Sequence, residues 1–118
     1  MTVKLNLSGH KNSDLEALGY SDLALHVNLE DADLSQKVAA VLAPLIGSDA
    51  VVYIALPGLS PLTAIVLATV HGLTGGFPFV QSLVRTPEGK FVPGPVLDLQ
   101  SHRNDVTRQN FRQDVTVL

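Results

Sequence analysis

The chain has 118 residues, enough for one domain and too few for two of ordinary size. Its hydrophobic share of 46% allows a buried core, while charged residues make up only 16%, below the roughly 25% of an average soluble domain. A net charge of −3 argues against a protein that coats long nucleic acid, because such affinity comes mainly from neutralising phosphates; the absence of cysteine removes disulfides, thiol catalysis and cysteine-based zinc sites together.

In chain order, Val3, Leu5 and Leu7 alternate with Lys4 and Asn6, as in a half-buried strand. Ser8-Gly9-His10-Lys11-Asn12 follows with turn chemistry. Ser13 is placed to cap a short helix through Leu18, closed by Gly19. Leu23, Leu25, Val27 and Leu29 alternate again and predict a second strand. Asp33 followed by Gln36 fits a capping box. It opens a helix with Leu34, Val38, Val41, Leu42 and Leu45 on one face, ended by Pro44 and Gly47.

Ala50 to Leu56 is continuously apolar and rich in β-branched residues, the pattern of a central strand covered on both faces. Pro57-Gly58-Leu59 turns sharply, with Ser60 placed as N-cap and Pro61 at the first helical position. That helix runs to about Thr74, where Gly75-Gly76 stops it. It is apolar nearly all round, which predicts a place in the core or at an oligomer interface. Phe79 to Arg85 reads as a strand, Thr86-Pro87-Glu88-Gly89 as a turn, and Lys90-Phe91-Val92 as the returning hairpin arm. Val96 to Leu99 reads as a further short strand delayed by Pro93-Gly94-Pro95. The tail from about Ser101 is polar and opens as a helix.

Strands alternating with helices, then a hairpin, predict a single α/β domain over residues 1–118: a small Rossmann-like three-layer domain with a mixed, mainly parallel sheet. The N-terminus lacks the apolar stretch of a signal peptide, and the richest apolar run is far short of the roughly 20 residues that span a bilayer. The expectation is a soluble, cytoplasmic protein without membrane attachment.

Ligands of such sheets bind beyond the carboxyl ends of the strands, which selects the loops Ser8 to Asn12 and Pro57 to Ser60. In the second, Pro57-Gly58-Leu59-Ser60, the free backbone N–H groups after the proline and the helix dipole would converge on one spot that favours phosphate. A plain strand-to-helix turn accounts for the same residues, and no P-loop or G-x-G-x-x-G fingerprint is present. In the first loop, His10 is placed to bind phosphate or to act as acid or base near neutral pH. Lys11 beside it screens negative charge. An exposed loop histidine is the competing reading. His71 lies eleven residues after Ser60, roughly 16 Å along the helix at 1.5 Å per residue, and cannot join a site at its start. Gln100, Arg103 and Asn104, with His102, Arg108 and Arg112, offer the donors and acceptors that an anion or a base edge requires; on composition alone a solvated C-terminal helix is the better reading. No histidine pair has metal spacing on a helix, and no cofactor or metal is expected. The basic residues favour the second half: residues 1–49 carry three Lys/Arg against seven Asp/Glu, residues 50–118 five against four.

Asn6-Leu7-Ser8-Gly9-His10 after the first strand, Leu56-Pro57-Gly58-Leu59-Ser60 leading into Leu67-Ala68-Thr69-Val70-His71-Gly72, then Gly76-Phe77-Pro78, and the ending Val96-Leu97-Asp98-Leu99-Gln100 with Arg103 resemble a small CRISPR-associated accessory family of type III systems, the Csx-fifteen type. The family has Ser and His adjacent where Gly9 separates them here. The resemblance implies a Rossmann-like domain and a cyclic oligoadenylate ligand, of which cyclic tetra-adenylate is the first choice. It implies sequestration of that second messenger or its cleavage by a metal-independent ring nuclease. A homodimer, or a face-to-face stack in a higher homo-oligomer, would enclose a symmetric ring by duplicating each loop. Cleavage would have a ribose 2′-OH attack the neighbouring phosphate to leave a 2′,3′-cyclic phosphate, with His10 transferring a proton. No second group forms a catalytic pair with His10, so binding is favoured over catalysis. A ligand-free oligomeric interaction module, built on the Pro61–Thr74 helix, is the alternative from another class.

Overall fold

The structure, a computed structural model, describes residues 1–109; Arg112 of the C-terminal cluster lies outside them. Five strands form one sheet: β1 (Thr2–Asn6), β2 (Ser21–Asp22), β3 (Val51–Ala55), β4 (Phe79–Arg85) and β5 (Phe91–Asp98). The helices are α1 (Ser13–Ala17), α2 (Leu34–Leu42), α3 (Ser60–Thr74) and α4 (Leu99–Gln109). The strand order is β2-β1-β3-β4-β5. The first four strands run parallel and β5 is antiparallel to β4. The chain is therefore an α/β domain with a mixed, mostly parallel sheet.

Alternation along β1 and β3 divides the side chains between two faces. Leu5, Leu7, Val52 and Ile54 point to the main core, which α2 fills with Leu34, Val38 and Leu42 and α3 with Leu62, Val66 and Val70. The opposite face carries Tyr53 and Ala55, and α1 covers it with Leu15, beside Tyr20 and Leu83. A five-residue helix cannot cover that face. Val51 is 44% exposed and Val96 45%, so the central strand is not enclosed on both sides as its composition suggested. What shields this face is local: Tyr53 and Phe79 stack with ring centroids 4.7 Å apart, and the Lys4 ammonium lies over Tyr20 and Tyr53.

Several elements depart from the sequence reading for identifiable reasons. No strand forms over Leu23 to Leu29; the second strand is the two-residue β2 just before it, at Ser21–Asp22. Leu23, Leu25 and Val27 do pack on the main core, so their alternation records one-sided burial of chain whose last bond to β1 is the Leu23 N–H to the Asn6 carbonyl. Asp33 does not cap α2; its carboxylate sits 3.5 Å from Lys37 instead. Asn12, not Ser13, caps α1, accepting from the N–H groups of Asp14 and Leu15 at 3.0 Å. The hairpin arm and the expected last strand are one strand, β5. Its Pro93 and Pro95 are tolerated because β5 is an edge, where one set of N–H groups has no partner to meet, and the ladder is irregular between Gln81 and Leu83. Helix α3 turns its large side chains inward, and its exposed side carries Pro61, Ala64, Ala68 and Gly72. Its apolar composition is thus largely explained by the core. No helix among the described residues is long and apolar enough to cross a membrane.

Candidate functional site

β1 and β3 are neighbours in the sheet, yet the chain leaves β1 toward β2 on one side and leaves β3 toward β4 on the other. This reversal is the switch point at which open α/β sheets leave a crevice beyond the strand ends. Asn6 is level with Ala55 in the ladder, and the Leu7 N–H donates to the Ala55 carbonyl at 2.9 Å. The loops Ser8–Asn12 and Pro57–Ser60 therefore leave the sheet side by side, on strands about 4.8 Å apart.

The first loop is built around Asn6, a polar side chain only 3% exposed. Its Nδ2 donates to the His10 carbonyl (2.9 Å) and to Asp22 Oδ1 (3.0 Å). Its Oδ1 accepts from the Ser8 N–H (3.0 Å) and the Ser8 hydroxyl (2.6 Å). One amide thus closes the loop on itself and ties it to β2. Ser8 is committed to this scaffold. Gly9 has φ +83°, a left-handed backbone that glycine takes without Cβ strain. With its backbone so held, His10 is exposed and its ring enters no hydrogen bond among the described residues; Lys11 is exposed beside it.

The second loop is a simpler turn. The Thr63 hydroxyl donates to the Pro57 carbonyl at 2.8 Å, and the Thr63 N–H to the Leu59 carbonyl at 2.9 Å. Leu59 is the residue before α3, so Ser60 begins the helix rather than capping it, and Pro61 falls in the first turn without an N–H to offer. A Cβ on Gly58 would meet nothing within 4 Å, and its φ is not in the left-handed range; the fold itself does not require glycine there.

The C-terminal cluster lies at the other end of the sheet. Asp98 pairs with Phe79, which is level with Tyr53, two residues before the end of β3. Gln100 sits further back, its Oε1 accepting from the Phe77 N–H at 3.0 Å. That places it about 13 Å behind the carboxyl end of β3, at 3.3 Å per residue. Gln100 and Arg103 both donate to Asn104 Oδ1, at 3.3 and 3.2 Å. Gln100 pins α4 to the turn after α3, Arg103 and Asn104 bond within α4, and none of the three joins the two loops. His71 is at this same end, edge-on to Phe77 at 4.8 Å.

What does join the first loop is the β4–β5 hairpin. β4 runs parallel to β3, so its turn emerges at the same end as the two loops. Asn12 Nδ2 donates to the Phe91 carbonyl at 3.0 Å, across 79 positions of sequence. Between loop and hairpin opens a cleft of about 580 Å³ lined by His10, Lys11, Asn12, Ser13, Asp14, Lys90, Phe91 and Val92. A second cavity, between the loop and β2, measures about 110 Å³ and is lined by Asn6, Gly9, His10, Lys11, Asp22, Leu23 and Ala24. The first is in the range of small-molecule sites and the second is far below it. His10 and Lys11 line both; Pro57–Ser60 line neither. Sequence reasoning selected Asn12 only as the end of the first loop and passed over Asn6, Lys90 and Phe91 as site residues. For Lys90 and Phe91 the signal was the topology: a turn that follows a parallel strand must emerge at the ligand-binding end.

No group of three His, Asp or Glu side chains converges to hold a metal among the described residues. The chain matches no family model, no curated protein and no solved structure.

Proposed function

We propose that this protein is a Rossmann-like binding module for a phosphate-bearing nucleotide. Following its resemblance to the type III CRISPR accessory family, the ligand is a cyclic oligoadenylate, held and thereby withdrawn from signalling. The observation that carries the reading is the position of His10 and Lys11. They stand at the β1/β3 switch point, on a loop fixed by Asn6, facing a cleft large enough for a nucleotide. A fixed backbone with free N–H donors on its side chains, one of them the Lys11 ammonium, is what phosphate recognition needs. Gly58 leaves space above the second loop for a phosphate to approach bare backbone.

Sequestration is favoured over cleavage because His10 has no partner that would orient it. No carboxylate or second histidine is bonded to it among the described residues, whereas a working acid or base is held by a third group. A cleft open on one side contacts one side of a ring. Two copies related by a two-fold axis would cover both, so the ligand-bound state is a homodimer.

Calorimetry with cyclic tetra-adenylate, linear tetra-adenylate and ATP tests the reading. Saturable binding of the ring, weakened by salt, at one ring per two chains is expected. Single-turnover incubation with labelled ring should return it intact. Absence of heat and of any melting shift with all three compounds overturns the reading. Opening to a 2′,3′-cyclic phosphate, lost in His10→Ala at unchanged affinity, replaces sequestration by ring cleavage.

A further inference from the structure

The geometry points to a nucleobase-stacking subsite on the β4–β5 hairpin, in which the Phe91 ring carries a base and Lys90 and Lys11 hold the adjoining phosphate. The inference rests on the nucleotide reading above and extends it from the phosphate to the base.

Phe91 is the starting point. It is 56% exposed at the first position of an edge strand, and the core makes no use of it. The other described aromatic rings are partnered: Tyr53 stacks on Phe79, Phe77 meets His71, and Lys4 lies over Tyr20. Phe91 has no aromatic or cationic partner among the described residues. Its backbone is anchored to the first loop, because its carbonyl accepts the Asn12 amide at 3.0 Å. An open aromatic face carried on an anchored backbone is what stacks a base, whatever the base, in single-stranded nucleic-acid sites.

The charges around it fit the same ligand. Lys11 and Lys90 come from opposite halves of the chain to one cleft. The ion pairs among the described residues involve Lys37 and Arg108 with their neighbours and leave both lysines out. In a chain of net charge −3, two unpaired lysines beside one exposed ring favour an anion joined to an aromatic group. Asp14 lines the cleft as well. Its carboxylate opposes inorganic phosphate alone but offers an acceptor to an exocyclic amine, so a base with an amino group, as in adenine, suits the cleft better than a bare anion.

The test uses a cyclic tetra-adenylate carrying 2-aminopurine, whose fluorescence is quenched on stacking, titrated against the full chain. The parent should quench it on binding. Phe91→Leu should bind about 5- to 150-fold more weakly and lose the quenching. Phe91→Tyr, which keeps the π-face, should stay within about twofold of the parent. Lys90→Gln should reduce the slope of log affinity against log salt by about 0.7, the value for one phosphate contact on a single strand. The exposed ring makes Phe91→Leu a safe variant for folding, and an unchanged melting temperature confirms that. If the parent binds and Phe91→Leu binds and quenches equally, the subsite is wrong and the phosphate reading survives. If Phe91→Tyr weakens binding as much as Phe91→Leu, stacking is also refuted. If the parent does not bind the ring at all, both readings fall.

Discussion

Replacing Asn6 tests the architecture of the site more directly than replacing any exposed residue. Asn6→Ala removes four hydrogen bonds, to Ser8 twice, to His10 and to Asp22. At about 0.5–1.5 kcal/mol net for each, the full loss would be roughly 2–6 kcal/mol. Ser8 is only half-buried and His10 is exposed, so water replaces part of it and the lower end, about 2–3 kcal/mol, is expected. For a chain of this size that lowers Tm by roughly 6–15 °C. Asn6→Asp should be worse at neutral pH although it is nearly isosteric. It keeps the acceptor for Ser8 but turns a second oxygen toward the His10 carbonyl and the Asp22 carboxylate. Their proximity raises the new carboxyl's pKa in the folded state above the unfolded value of about 3.9. The folded state then binds more protons than the unfolded one between those two values, so stability falls as pH rises through that window and recovers below it. Urea unfolding of parent, Asn6→Ala and Asn6→Asp from pH 4 to pH 8 measures this. If Asn6→Asp unfolds at the parent's midpoint throughout, the Asn6 network does not hold the loop.

The two loop glycines should separate cleanly. Gly9→Ala is expected to cost about 1–2 kcal/mol, because φ is +83° there, whereas Gly58→Ala should leave the urea midpoint unchanged or slightly raised, since its Cβ meets nothing. Gly58→Val should then lower ring affinity in calorimetry at unchanged stability if phosphate approaches that backbone. Gly94→Ala should lower Tm, because its Cβ would lie 2.7 Å from Ser82 Oγ and 2.8 Å from Val84 Cγ1, an overpacking worth about 1–3 kcal/mol. The Tyr20 hydroxyl donates to Gln81 Oε1 at 3.2 Å, and burial raises its pKa above 10.0, with Tyr53 adding to the shift. The folded state therefore keeps a proton that the unfolded state loses, and stability should fall as pH rises from about 10 through the raised value. Tyr20→Phe should cost about 1 kcal/mol at neutral pH and abolish that alkaline decline in chemical denaturation.

The parts of the fold legible in the sequence are those whose signal is local. β4 spans Phe79–Arg85 as its pattern indicates, and Gly75 ends α3 with φ +80°. β1 and β3 are read directly from alternation and from a continuous apolar run. Illegible parts depend on what lies opposite. Leu23, Leu25 and Val27 alternate as a strand does, but past the single Leu23 N–H to Asn6 carbonyl bond no ladder continues along them. Pro93 and Pro95 read as breakers because no local signal says that β5 is an edge. The candidate site divides in the same way. Ser8, His10 and Lys11 follow from the rule of strand ends, and Pro57–Ser60 do emerge beside them. Gln100, Arg103 and Asn104 look equally chemical in sequence, yet the antiparallel return of β5 carries them to the far end of the sheet. Asn6 escaped notice because, in sequence, it is one more polar residue in an alternating strand; its four bonds appear only when Ser8, His10 and Asp22 are brought around it.

The direction of β5 links the open face of the sheet to the composition of the site. A fifth strand parallel to the others would require a crossover connection from β4, usually a helix packed on one face of the sheet. That helix would have been available to cover Val51, Tyr53 and Val96. β5 instead returns antiparallel through the turn Thr86–Gly89, which saves the crossover and leaves that face to α1 and to the stacked pair of Tyr53 and Phe79. The same reversal holds the hairpin turn at the carboxyl end of the sheet. There the Asn12 amide docks it, and Lys90 and Phe91 stand across the cleft from His10 and Lys11. A parallel fifth strand would have carried the chain after Arg85 away to the opposite end. The strand that costs the fold a covering helix is therefore the one that brings the second half's basic and aromatic side chains to the loop of the first half.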